Sequence, residues 1–168
     1  MTGRARRRRT RHRLGAAVLT LLGAAACEAR AQEELPWSYA CTAPAREAAL
    51  DCEMRQQAFV TETGQLLMLF TLRVPAATRQ PVMILRAPLA TYLPAGIRLD
   101  VDGGAAMTLE YQTCDAEGCY TAMAVSPELL EAMRQGSKLN LTIEDQQRRS
   151  LVIPISLAGF TAVYERIQ

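Results

Sequence analysis

Apolar residues fall in short runs and two-residue alternations along most of this 168-residue chain. Residues 66–74 read Leu-Leu-Met-Leu-Phe-Thr-Leu-Arg-Val, apolar enough for a central strand and bounded by Gly64 and Pro75. A second strand is expected at 82–85, closed by Pro88. Ile97, Leu99 and Val101 alternate with Arg98 and Asp100, the period-two pattern of a half-buried strand. Asp102-Gly103-Gly104 supplies a turn, and Met107, Leu109 and Tyr111 alternate in the strand after it. Further strands are expected at 119–125, 139–143 and 151–157.

A single helix interrupts the series. Ser126 is a good N-cap, Pro127 suits the first helical position, and Glu128 and Glu131 complement the positive end of the helix dipole. Leu129, Leu130 and Met133 form an apolar stripe, with Arg134 in the last turn and Gly136 as the stop. The expected fold is all-β: an antiparallel β-sandwich with one short helix.

The first 31 residues have a different character. Residues 1–13 carry seven arginines and no acid, and 14–26 are an apolar run of Leu, Ala, Val and Gly. Basic start, short apolar middle and the small-x-small step Ala29-Arg30-Ala31 are the parts of a secretory signal. The apolar run is shorter than the roughly 20 residues a membrane span needs. We therefore read 1–31 as a signal peptide and 32–168 as a single domain with a loose lead-in over 32–36. Ala24-Ala25-Ala26-Cys27 also resembles a lipoprotein cleavage box, with Ala where Leu is usual. Cys27 either leaves with the leader or becomes a lipidated N-terminus, so direct membrane association is expected only in the second case.

Removing the leader reverses the charge. It holds eight arginines and one glutamate, which leaves 11 basic against 16 acidic residues, a net of −5. An acidic domain has no electrostatic footprint for nucleic acid or anionic lipid.

Four cysteines remain in two close pairs, Cys41 with Cys52 and Cys114 with Cys119. An even set beyond an export leader points to disulfides in an oxidising compartment, hence the periplasm or the cell exterior. Four cysteines allow three pairings; nearest-neighbour pairing is expected, with Cys114–Cys119 clamping a hairpin end between two alternating strands. The spacing of Cys114 and Cys119 is not that of a redox C-x-x-C motif.

The inventory for chemistry is thin. The only histidine, His12, sits in the leader, so the domain has no His base, ligand or pH switch. No catalytic residue, metal ligand or cofactor motif is expected. Asp100 and Asp102 fall on one face of an expected strand and are the best candidates for paired-carboxylate or cation chemistry, against a solvated strand edge running into a turn. Asp115 and Glu117 read as a polar hairpin tip. The six methionines beyond the leader are scattered singly, as core filling rather than a copper site. Tyr92, Tyr111 and Tyr120 are the candidate interaction surface.

Taken together, Trp37-x-x-x-Cys41, Cys52-x-x-x-Gln56, Pro88-Leu89-Ala90-x-x-Leu93-Pro94-x-Gly96-Ile97, Cys114-x-x-x-Gly118-Cys119 and Leu157-x-Gly159-Phe160 resemble the invasion-associated locus B family. Ala90 stands where that family usually has glycine. The resemblance runs from Trp37 to the C-terminus and implies an exported envelope protein of β-sandwich fold with intrachain disulfides, linked in some pathogens to host-cell entry. It carries no catalytic residues; its landmarks read as scaffold.

Three functions follow as expectations. The first is a non-enzymatic envelope protein that binds another protein in the envelope or on a host surface, through an exposed apolar or aromatic patch on one sheet. The second is a small-molecule carrier with a pocket between the sheets. The third is a hydrolase using Asp100 and Asp102.

Overall fold

A computed structural model describes residues 36–168 except Pro44. The expected signal peptide, its expected cleavage before Gln32 and the fate of Cys27 lie outside the described residues. Strands β1 (Ser38–Thr42), β2 (Asp51–Phe59), β3 (Leu66–Val74) and β4 (Val82–Ala87) come first. A 3-10 turn (Leu93–Ala95) leads into β5 (Ile97–Val101), followed by β6 (Met107–Leu109), β7 (Thr113–Asp115) and β8 (Gly118–Ala124). Helix α1 (Pro127–Gln135), β9 (Lys138–Glu144), β10 (Ser150–Ser156) and helix α2 (Phe160–Ile167) complete the chain.

All pairings are antiparallel. One sheet has six strands in the order β1-β2-β3-β4-β8-β7 and the other has four in the order β10-β9-β5-β6. Alternation along the strands turns Met54, Met68, Phe70, Leu72, Met83 and Leu85 inward from the first sheet; Ile97, Leu99, Leu139, Leu141, Ile153 and Ile155 come from the second, all in one buried cluster. Four of the six methionines beyond the leader (Met54, Met68, Met83, Met133) are fully buried there; Met107 is exposed.

Two expectations need correction. The domain has two helices, not one. Phe160, Val163, Tyr164 and Ile167 recur at helical spacing and are buried. The stretch is short, rich in aromatic and β-branched residues, and capped by Gly159 in the left-handed conformation (φ 73°) with no side-chain cap. Local propensity is therefore poor, and the helix is held by packing on β1 and β2 beyond the last strand of the smaller sheet. Phe160 and Trp37 anchor that packing: the Trp37 ring sits edge-on to Phe70 and Phe160, with centroids 5.3 and 5.5 Å away.

The second correction concerns the strand expected at 107–111. It stops at Leu109, and residues 110–112 carry the chain from the smaller sheet to the larger one. The hairpin closed by Cys114 and Cys119 is therefore made by β7 and β8, while β6 pairs with β5. The expected helix at 126–136 forms as read, with Ser126 Oγ accepting the Leu129 N–H at 3.2 Å.

Candidate interaction surface

Both disulfides pair nearest neighbours, and in both the bonded cysteines are direct cross-strand partners: Cys41 opposite Cys52, and Cys114 opposite Cys119. Cys52 and Cys119 point into the interior while Cys41 and Cys114 are exposed. Their role is that of clamps, one on an edge strand and one on a hairpin tip.

Asp100 and Asp102 do not form a pair on one strand. β5 ends at Val101, and Asp102 has left it with a positive φ of 50°. Asp100 Oδ1 accepts from the Gly103 N–H at 2.7 Å and Asn140 Nδ2 at 2.9 Å. The Asp102 carboxylate accepts from the Ser137 and Lys138 N–H groups at 2.8 and 2.9 Å. Asp100 closes the turn that follows it, and Asp102 ties that turn to the backbone at the start of β9. Asp115 behaves likewise, accepting from the Glu117 and Gly118 N–H groups and the Tyr120 hydroxyl. Among the described residues no group of three His, Cys, Asp or Glu is placed to hold a metal ion.

The three tyrosines are separated by the fold. Tyr120 lies half-buried on the outer face of the six-stranded sheet beside the Arg86–Glu117 ion pair. Tyr92 lies before the 3-10 turn, with the Arg148 guanidinium over its ring at 4.9 Å and donating to its hydroxyl at 3.2 Å. Tyr111 packs against the core, and burial pushes its hydroxyl pKa up to about 12. Its oxygen and that of neighbouring Thr91 are buried without completing a hydrogen bond. No single sheet face carries all three.

A different set of residues gathers instead. Strand directions bring four connections to one end of the two-sheet body: β2 to β3, β4 to β5, β7 to β8 and β9 to β10. The Thr91–Asp145 bridge and the Tyr92 N–H bond to Glu144 (2.8 Å) tie the β4–β5 crossing to the β9–β10 hairpin there. Of the eight large apolar side chains exposed among the described residues, five belong to this end: Phe59, Leu89, Leu93, Leu151 and Val152, each 42–56% exposed.

All but Leu151 border three grooves. One of about 370 Å³ is lined by Leu66, Pro88 and Leu89, with Arg86 and Glu117 at its rim. The second, about 500 Å³, runs between Leu93-Pro94 and residues 110–114. The third, also about 500 Å³, lies between Phe59 and Leu67 on the larger sheet and Val152 and Pro154 on the smaller one. Sequence reasoning missed these residues because an apolar residue in a strand-rich chain reads as core. The available signal was Leu89 and Leu93 standing beside prolines in a connection, where no strand could bury them.

These features define a class: a two-sheet β domain braced by cross-strand disulfides, its carboxylates engaged with its own backbone and its exposed apolar residues collected at one end. A sequence profile of the family described as Invasion associated locus B (IalB) protein matches residues 37–168, and the chain belongs to that family. Among solved structures, that of invasion associated protein B from Bartonella henselae matches with a TM-score of 0.66 and 22% identity, over 79% of this chain and 90% of that one. At that identity the likeness is one of fold. No curated protein matches the chain.

Proposed function

We propose that this protein is an exported, non-enzymatic envelope protein that works by binding another protein. The observation that carries the reading is the gathering of Phe59, Leu89, Leu93, Leu151 and Val152 at one end. Exposed apolar residues collected in one place on a folded domain mark a contact surface, whereas the same residues scattered singly need no explanation. Two disulfides support maturation in an oxidising compartment, and the leader-like residues 1–31 agree with export to the periplasm or cell surface. The family description, invasion associated, makes a host-surface protein one candidate partner and an envelope complex the other.

Chemical cross-linking in intact cells, followed by affinity capture and mass spectrometry, tests the reading. One dominant cross-linked protein is expected. Recovery of the protein alone, as a monomer, would remove it.

A further inference from the structure

We infer that the apolar end docks a segment of a partner protein that presents large apolar side chains flanked by lysine or arginine. The inference rests on the protein-binding reading above and adds where the partner sits and what chemistry it brings.

Charge selects the partner. At this end stand six carboxylates (Glu62, Glu110, Asp115, Glu117, Glu144 and Asp145) against four guanidinium groups, Arg86, Arg98, Arg148 and Arg149, and of these Arg86, Glu110 and Glu117 line the grooves. Arg86 is held by Glu117, Arg149 is held by Asp145 at 2.6 Å, and Arg148 lies over Tyr92. Glu62, Glu110 and Glu144 have no ion-pair partner among the described residues. This end thus carries a net −2 of the −5 expected for residues 32–168. An acidic rim around apolar grooves repels anionic lipid headgroups and an identical acidic end, and it steers a cationic segment in.

The shape of the end agrees with anchor side chains rather than with an added strand. Hydrogen bonds from Asp145 and Leu157 fix the alternation of β10, so Val152 and Pro154 present their backbone to its free edge. Pro154 has no N–H to offer, and Gln56 Nε2 occupies the Ser156 carbonyl at 3.2 Å. A strand adding to β10 would find this edge broken. Beside that edge the groove between Phe59 and Val152 stays open, and it suits a separate side chain.

Two measurements on the disulfide-bonded protein test this. A random peptide library displayed on phage is selected against the wild type. Selected peptides should combine Leu, Phe or Trp with Lys or Arg. Leu89→Ser with Leu93→Ser should weaken their binding at least tenfold while Leu50→Ser, at the opposite end, leaves it within twofold. Neutralising the rim (Glu62→Gln, Glu110→Gln, Glu144→Gln) should weaken binding and flatten its salt dependence, with unchanged melting temperatures showing that the variants fold. Peptides without basic residues, or peptides that bind the double serine variant as tightly as wild type, would overturn the inference. So would binding to phosphatidylglycerol vesicles through the same leucines.

In cells, a photo-cross-linking residue is placed at Leu93, at Val152 or at Leu50. Adducts with another protein from the first two positions alone support the inference. Adducts from Leu50 alone would overturn it and leave the protein-binding reading intact. An adduct with a second copy of this chain would also overturn it. No adduct from any position would remove both.

Discussion

Asp102 and Lys138 hold each other by two reciprocal hydrogen bonds: the Asp102 N–H donates to the Lys138 carbonyl at 3.0 Å, and the Lys138 N–H donates to Asp102 Oδ1 at 2.9 Å. This contact fixes the turn after β5 to the start of β9, and it explains why an acid occupies a left-handed backbone position. Asp102→Ala should cost about 2–3 kcal/mol in urea denaturation, from lost charge-assisted bonds and the strain of alanine at positive φ. Asp102→Asn tolerates that backbone and keeps an acceptor, so it should lose less. Equal losses would mean that the carboxylate does not hold the turn.

The disulfides should differ in weight. Chain-entropy estimates assign about 2 kcal/mol to the Cys114–Cys119 closure and about 3 to Cys41–Cys52, because the second closes the longer loop. Replacing each pair by serines and comparing urea midpoints checks the order. Cys52 and Cys119 are both buried, so a serine hydroxyl adds a similar penalty to each pair and the difference in loop length sets the order.

Gly96 and Gly64 share a φ of 67°, yet only one is enclosed. A Cβ on Gly64 meets nothing, and Gly64→Ala should cost about 1 kcal/mol from backbone conformation alone. A Cβ on Gly96 would overlap the carbonyl oxygen of Leu109, on the strand paired with Ile97. Gly96→Ala should therefore lose several times more, measured by thermal unfolding of the two variants side by side.

Alkaline titration should single out Tyr111. Its hydroxyl is raised from about 10 to about 12, so in the unfolded chain it loses its proton first. Its contribution to stability is complete below pH 10 and declines as pH climbs from about 10 towards 12. Absorbance near the phenolate band should show one of the five tyrosines ionising last, and Tyr111→Phe should abolish that late step. A late step that survives the substitution would assign it to another tyrosine.

Much of the fold could be read from short stretches. The run at 66–74, the alternation at 97–101 and the Ser126-Pro127 cap each encode their element locally, and β3, β5 and α1 form where those signals stand. The carboxylates were harder. Alternation alone puts Asp100 and Asp102 on one face, but the chain turns left-handed at Asp102, and each then finds backbone donors rather than the other acid.

By itself, then, the sequence determined where most of the strands lie, that nearest-neighbour cysteines are the natural pairs, and which catalytic chemistries have no histidine to work with. These follow from period, spacing and residue type, all properties of neighbours along the chain. Tertiary structure decided the rest: that β6 and β7 belong to different sheets, that residues 160–167 become a helix, and that Phe59, Leu89, Leu93, Leu151 and Val152 share one end. Each of these depends on contacts between residues far apart in sequence, and a hydrophobic side chain carries no local mark of whether the fold will cover it or leave it in water.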